Sequence, residues 1–518
     1  MTANNGINLT EPESIMKKII TLLTPPLLLL AIACGGVQAA NKKPSRVIKA
    51  DWSAVADYQV PDWFVDAKFG IYAHWGPATQ GTYGSFDDWY AGCMYNQGCR
   101  KGRSNNYHKE AFGDPKEFGY KEVIKKFDPS GFDAEDLAAL YAQSGAKFAG
   151  PVAIHHDNFA MWDSKISRWN SVNYGGIDVS GELKKALEKR DLKFMMSSHL
   201  AFSWDFFRGA YDYDGADPQY RDLYHTPHKG KINVRPGRSN GDKPDQAFND
   251  MWLAKMKEMI DDYNPDLIWH DFGPEMLQDN ILHNYVNYYY KQGEKKEQPV
   301  VITFKHGAKA KVPAHLAVHD HERSRPHEVV KDFWLTDTSL GPWYYEKGFE
   351  QEALDNSELI KMLVDIVSKN GSILFNVPLK RDGSVPSNTR KLLEVTGAWL
   401  AISGEAIYGT RPWTRFGEGP HEFYKDEKGR LKKADMYTDA DIRFTTKGKA
   451  LFAISLGQPK GKITITSLKS EIGKVSKVTM LGLSNTLNFT QDDKGLHIEV
   501  PKTLPSVHAN TFKVEGLL

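Results

Sequence analysis

The run KFAGPVAIHHD (147–157) is followed by GELKKALEKRD (181–191) and then directly by LKFMMSSHL (192–200). The first and third are short, apolar and β-rich, whereas the second is an amphipathic helix. Strand, helix and strand in that order predict two parallel neighbours joined by a right-handed crossover. The same texture extends from about residue 60 to 410. Further β-rich runs are KFGIYAHW (68–75), DLIWHDFG (266–273), VVITFKHG (300–307), LAVHDHE (316–322) and SILFNVP (372–378). Helical stretches fall between them, among them DAEDLAALYAQSG (133–145), MWLAKMKEMIDDY (251–263) and ELIKMLVDIVSKNG (358–371), the last ending on a Lys-Asn-Gly stop. Seven or eight such units predict an α/β fold, a (β/α)8 TIM-like barrel over 48–410, rather than an open sheet.

The residues at the ends of these runs carry the functional signal. They are His74, His155 with His156, His199, Asp271, Lys305, Glu322 and Asn376. In such a barrel the carboxyl ends of the strands converge on one face, where sites are built. One strand-end histidine is ordinarily structural; a polar or ionisable group at nearly every strand end is hard to explain by packing.

Beyond about 410 helical periodicity stops. ADIRFTTKG, ALFAISLG, GKITITSL, VSKVTMLGL, KGLHIEV and NTFKVEGL alternate like strands between Gly-rich turns. They predict an antiparallel β-sandwich over 411–518, which carries no catalytic cluster. The segment 209–247, rich in Tyr, Asp, Gly and Lys, reads as a long loop over the barrel mouth.

The first 40 residues read as an address. From Met16, read as the start, two lysines, an apolar run and small residues follow in the order of a secretory signal. Cleavage after Ala39 or Ala40 would release a soluble periplasmic protein; lipidation at Cys34, within a loose lipobox, is the alternative and would leave it on a membrane surface. Beyond this segment only Cys93 and Cys99 remain, and in an oxidising compartment AGCMYNQGC closes into a small disulfide loop. The 518 residues are 41% hydrophobic and 25% charged, which is globular composition. A formal net charge of +1 gives no field that would favour nucleic acid. The 13 Trp, 23 Tyr and 25 Phe suit sugar faces but equally suit a large core.

Glycoside hydrolysis requires two carboxyl groups on one face, one to attack or stabilise the oxocarbenium-like centre and one to protonate the leaving oxygen. Asp271 and Glu322 are the candidates. The bland alternatives are a turn aspartate and an ion pair between Glu322 and Arg323. His155-His156-Asp157 invites a metal reading, but no HExxH or second correctly spaced pair accompanies it, so no metal or cofactor is expected. No GxSxG elbow or phosphate-binding glycine loop is present.

Blocks spread along the chain carry a family resemblance: WFVDAKFGIYAHWGP (63–77), DDWY (87–90), IHHDNFAMWDSKISRWNSV (154–172), PDLIWHDFG (265–273), FWLTDTSLGPWYY (333–345), LVDIVSKNGSILFNVPLKRDGSV (363–385), WLAISGEAIYGTRPW (399–413) and KVTMLGL (477–483). In this order, from about residue 48 to the end, they resemble the glycoside hydrolase family 29 α-L-fucosidases. The resemblance implies a retaining exo-α-L-fucosidase acting on terminal α-L-fucosyl residues of oligo- or polysaccharides. It makes Asp271 the nucleophile of a covalent β-fucosyl intermediate, and His74, His155 and His156 the ligands of the sugar hydroxyls. It makes Asp88 and Trp89 an acidic–Trp pair in the pocket, with Asp where many members have Glu, and puts Trp343 by the fucose methyl. The acid/base position varies in the family. One alternative falls on Leu335, which cannot transfer a proton; the other falls on Glu322, which takes the role. Lys305 stands where many members have Arg, and His199 stands where many carry a Tyr-Tyr pair. These two departures would suit an anionic neighbour such as a sulfated fucan. The competing readings are an α-L-galactosidase on the same scaffold, separated only by the ~1–3 kcal/mol that one small group carries, and a non-catalytic fucose-binding protein.

Overall fold

In the computed structural model, the residues described are 51–229, 242–305, 308, 311–421 and 437–518. The segment read as a secretory signal, with Met16, Cys34, Ala39 and Ala40, lies outside them. From Ala50 to Leu518 the chain forms one unit.

Eight parallel strands close into a barrel in sequential order. They are β1 (Phe69–His74), β2 (Phe148–Ile154), β3 (Lys193–Ser198), β4 (Leu267–His270), β5 (Val301–Phe304), β6 (Val318–Asp320), β7 (Trp334–Thr338) and β8 (Gly371–Pro378). The β1–β8 ladder closes the ring, with Gly70 opposite Leu374 and His74 opposite Pro378. These strands are buried on both faces, as a parallel sheet sheathed by helices must be, and so they read as continuous rather than alternating apolar runs. Every residue of β1, β2 and β8 is buried. Tyr72, Val152, Met195, Leu267, Trp269, Val301, Val318, Leu335 and Leu374 fill the interior, and Phe64 before β1 packs against it. Gly150 is required where β2 meets β3, because a Cβ there would lie 1.8 Å from the Met195 carbonyl oxygen.

The crossover helices begin on aspartates. Asp133, Asp178, Asp245 and Asp355 each accept a backbone N–H from the first turn of the helices Ala134–Gln143, Val179–Glu188, Gln246–Glu258 and Asn356–Ser368. Each such cap contributes about 1 kcal/mol. At the Lys-Asn-Gly stop it is Asn370, at φ 71°, that turns the chain, and Gly371 already opens β8.

The sequence runs account for seven of the eight strands. The missing one is β7, whose WLTDT is interrupted by polar residues even though all five are buried. The segment from 209 is not a bare loop. Its described part folds into one-turn helices between Arg208 and Tyr224, and the Asn158 amide, just past β2, donates to the Asp222 and Leu223 carbonyls to hold it. Residues 230–241 are outside the described set.

After the helix Ser387–Ser403 come eight antiparallel strands: β9 (Arg411–Glu418), β10 (Ile442–Lys447), β11 (Ala450–Ser455), β12 (Lys462–Ile465), β13 (Lys477–Met480), β14 (Phe489–Asp492), β15 (Gly495–Glu499) and β16 (Asn510–Glu515). They form a five-stranded sheet ordered β13-β16-β11-β10-β9 and a three-stranded sheet ordered β12-β15-β14. Strands β9 and β14 have no counterpart among the sequence runs: β9 slips register against β10 and much of it faces solvent, and β14 is half exposed. The sandwich is keyed to the barrel by a buried ionic cluster. Arg443 of β10 reaches Asp365 of a barrel helix at 2.7 Å, and Lys369 and Arg325 join from the barrel side at 2.9 and 3.1 Å. Burial would push the Asp365 carboxyl up, but the three cations outweigh it and hold it far below the usual carboxylate range.

Candidate active site

The carboxyl ends of the strands converge on one pocket enclosing about 350 Å³, its open mouth included. His74, Asp88, Trp89, His155, His156, His199, Asp271, Lys305, Glu322 and Trp343 all line it, so every site residue expected from the sequence is brought together. Tyr72, Phe272 and Asp337 line it too, and were not anticipated.

Asp271 is the residue immediately after β4, and its N–H donates to the Ser198 carbonyl at 3.1 Å. The chain then turns at Gly273, φ 114°, where a Cβ would meet the backbone of Phe202 at 2.7 Å. The carboxylate is gripped on both oxygens. Oδ1 faces the Lys305 ammonium at 2.9 Å; Oδ2 accepts from His199 Nδ1 at 2.9 Å and lies 3.3 Å from His156 Nε2. Burial would raise its pKa, yet Lys305 and His199 overcome this and hold it well below the usual range. Asp271 is therefore an ionised, desolvated carboxylate fixed in one orientation.

The histidines differ in what they leave free. His74 ends β1; its Nδ1 lies 2.7 Å from the Asn376 amide oxygen of the neighbouring β8, so Nδ1 carries the proton and Nε2 is left as a lone pair. Asn376 is thus a positioning group inside β8 rather than a strand-end ligand. His156 is committed, with Nδ1 donating to the His199 carbonyl at 2.8 Å and Nε2 toward Asp271. His156 and Asp157 do not continue the strand: β2 stops at Ile154, and Asp157 turns away to accept from the Tyr120 hydroxyl. The His155 imidazole makes no hydrogen bond among the described residues and lies 4.6 Å, ring centre to ring centre, from His199. Burial, aided by neighbouring histidines, pushes His74 and His155 well below the ordinary imidazole range. Burial pushes His199 down to about 4 even though Asp271 pulls the other way. All three are neutral at physiological pH.

Glu322 does not close β6 as the sequence suggested. The strand is only Val318–Asp320, and Glu322 stands two residues beyond it, with φ 23° and its side chain 38% exposed. It also does not pair with Arg323, which stacks over Trp343 at 4.3 Å and donates to the Gly341 carbonyl. Its carboxylate meets Lys305 at 3.2 Å. Leu335, the other acid/base alternative, is wholly buried in the barrel interior.

Lys305 is the hub. Besides Asp271 and Glu322 it reaches Asp337 Oδ2 at 3.4 Å, and it lies 4.9 Å over the Trp269 ring. Burial disfavours its charge, but these carboxylates raise its pKa well above the ordinary lysine value. Asp337 behaves oppositely. Burial and the adjacent Asp320 push its carboxyl well up despite Lys305, and it accepts from the Tyr72 hydroxyl at 3.0 Å. The signal that would have found Asp337 is alternation in WLTDT, where Leu335 and Asp337 share the inward face of β7.

Asp88 and Trp89 form the opposite wall. Cys93 and Cys99 are disulfide-bonded, and the next residue, Arg100, pairs with Asp88 at 2.5 Å and Asp87 at 3.2 Å while stacking 4.8 Å over Trp89. Trp343 lies 5.4 Å from the His74 ring. Two groupings have metal-ligand composition, His74–His155–His199 and His156–His199–Asp271, each with its ligand atoms within 4.8 Å of one another.

A family model described as Alpha-L-fucosidase matches residues 36–405, and one described as Alpha-L-fucosidase C-terminal domain matches 435–515. The chain is 27% identical to the tissue alpha-L-fucosidase of Homo sapiens over 95% of this chain and 97% of that protein. It is 28% identical to the alpha-L-fucosidase of Dictyostelium discoideum over 88% and 91%. Among solved structures, the Thermotoga maritima alpha-fucosidase bound to a mechanism-based inhibitor superposes with a TM-score of 0.69, at 26% identity, over 90% of this chain and 99% of that one.

Proposed function

Given that the chain belongs to the α-L-fucosidase family and is a glycoside hydrolase whose substrates are fucosylated glycans, we propose that it works by retention, through a covalent fucosyl intermediate on Asp271 with Glu322 as acid/base. One observation carries this reading. Lys305 Nζ touches a carboxyl oxygen of each, at 2.9 Å and 3.2 Å, so those oxygens can be no farther apart than the two spans laid end to end, about 6 Å. Retaining glycosidases hold their carboxyl groups about 5–5.5 Å apart, whereas inverting ones need about 6.5–9.5 Å to admit a water. The ionised, desolvated Asp271 suits attack on the anomeric carbon. Glu322, at the solvent edge, suits first giving a proton to the departing oxygen and then taking one from water. His74 Nε2 and His155 offer acceptors to sugar hydroxyls, and Trp343 offers an apolar face to the C6 methyl.

The pocket chemistry argues for neutral fucose rather than a sulfated unit. His199 is neutral and bonded to Asp271, and the charge of Lys305 is met by three carboxyl groups, so neither presents a free cation to sulfate. The Cys93–Cys99 bond fits an oxidising compartment, which supports export to the bacterial periplasm or cell surface.

The test is release of 4-nitrophenol from 4-nitrophenyl α-L-fucoside by wild type, Asp271→Ala and Glu322→Ala. Azide should rescue the first variant to β-fucosyl azide and the second to the α-anomer. Rescue giving the same anomer in both, or undiminished turnover in Asp271→Ala, would refute the assignment.

A further inference from the structure

The geometry points to a three-histidine site for a divalent transition ion of the zinc type, formed by His74, His155 and His199 at the floor of the pocket. Their ligand nitrogens lie within 4.8 Å of one another. The ring centres are separated by 5.6 Å (His74–His155), 5.3 Å (His74–His199) and 4.6 Å (His155–His199). Three imidazoles on a tetrahedral ion, with Zn–N of about 2.0–2.1 Å, put each ring centre about 3.2 Å from the metal and roughly 5.2 Å from the other two. The observed triangle brackets that value, so the three ring centres already stand at about the separations a tetrahedral ion requires.

The protonation pattern agrees. Asn376 holds the proton on His74 Nδ1 and Asp271 holds it on His199 Nδ1, which leaves both Nε2 atoms as lone pairs. His199 Nε2 is buried and has no hydrogen-bond partner. His155 has neither ring nitrogen engaged among the described residues. A carboxylate or amide behind a ligating histidine is the arrangement that orients imidazoles on zinc and raises their basicity. The second grouping is the weaker candidate, because His156 Nδ1 is spent on the His199 carbonyl, and its Nε2 faces an Asp271 oxygen that His199 already bonds. Of the nearby charges, Asp271 favours a cation and Lys305 opposes it, and Lys305 is drawn to the far oxygen of Asp271. The ion would occupy the space assigned above to the sugar, so its effect is reversible competitive inhibition. Only this competition rests on the fucose reading; the coordination does not.

The experiment is titration of Co2+ and Zn2+ into the intact protein, in a non-coordinating buffer at neutral pH, by visible absorption and calorimetry. The expected result is one ion per chain, with the intense visible bands of tetrahedral Co2+, displaced by Zn2+ but not by Mg2+. His199→Tyr should weaken Zn2+ on the order of tenfold or more, and saturating L-fucose should displace Co2+ from wild type. No saturable binding, weak octahedral Co2+ bands, or Zn2+ affinity unchanged in His199→Tyr would overturn the proposal. If that variant fails to fold, the wild-type Co2+ spectrum decides alone. A tetrahedral spectrum lost in His199→Tyr yet indifferent to L-fucose would uphold the ion site while refuting the sugar assignment of the pocket.

Discussion

Replacing Lys305 by Met removes the cation that touches Asp271, Glu322 and Asp337 together. At 2.9 Å, and with an effective dielectric constant of about 20, its attraction for Asp271 is about 6 kcal/mol. This is an upper limit, since water can follow the shorter charge-free side chain. Taking half of it gives a rise of about 2 units in the Asp271 pKa, at 1.36 kcal/mol per unit. The sign is fixed by the mechanism. Asp271 must be ionised to attack, and its folded pKa lies well below the usual value, so wild-type activity survives to low pH. In Lys305→Met the acid limb of kcat/KM, which reports the free enzyme, should move up by about 2 units. Lys305→Arg keeps the charge and should return the limb close to wild type. The assay is the pH profile of kcat/KM on 4-nitrophenyl α-L-fucoside, with circular dichroism at each pH to confirm folding. An unmoved acid limb in a folded Lys305→Met protein would refute the argument that this ammonium sets the nucleophile's charge.

Other changes separate the remaining contacts. His199→Phe deletes a hydrogen bond to an ionised oxygen, worth about 1.5–3 kcal/mol, so kcat/KM should fall roughly 10- to 150-fold in steady-state assays. Asp337→Asn should leave activity within a few-fold. The raised folded pKa of Asp337 means its contribution to stability is present below its unfolded pKa and lost as pH rises, so the amide should gain in chemical denaturation at pH 7 and lose that gain near pH 3. Asp365→Ala strands three buried cations and should cost about 3–5 kcal/mol, read as a fall in denaturant midpoint. Cys93→Ser opens a loop of six-residue separation, costing roughly 2 kcal/mol by loop-closure entropy. It also frees Arg100 from Asp88, so KM should rise more than kcat falls.

The barrel was legible because buried parallel strands leave an unbroken apolar signature, and seven of them do so here. Strand β7 escaped because its polar residues are satisfied only in three dimensions, Asp337 by the Tyr72 hydroxyl and the Lys305 ammonium. The same cause hid Asp337 itself: a carboxyl whose partners come from other strands looks in sequence like a turn residue. Strand-end position led to Asp271, the histidines and Lys305, since each follows an apolar run by one or two residues. Glu322 was found for a partly wrong reason, because β6 is too short to deliver it and the backbone instead carries it out at positive φ. That Lys305 joins both carboxylates has no trace in the sequence, where the three are separated by 34 and 17 positions.

The seam between barrel and sandwich bears on how this architecture can be exchanged between proteins. Arg443 is wholly buried, and its carboxylate partner among the described residues belongs to the other half of the chain. A sandwich grafted onto a barrel with an apolar residue at position 365 would import a guanidinium without its carboxylate, at a cost of about 3–5 kcal/mol, a large share of the stability of an ordinary domain. The two halves are therefore not interchangeable modules: recombination between relatives is viable only where both sides of this lock are inherited together.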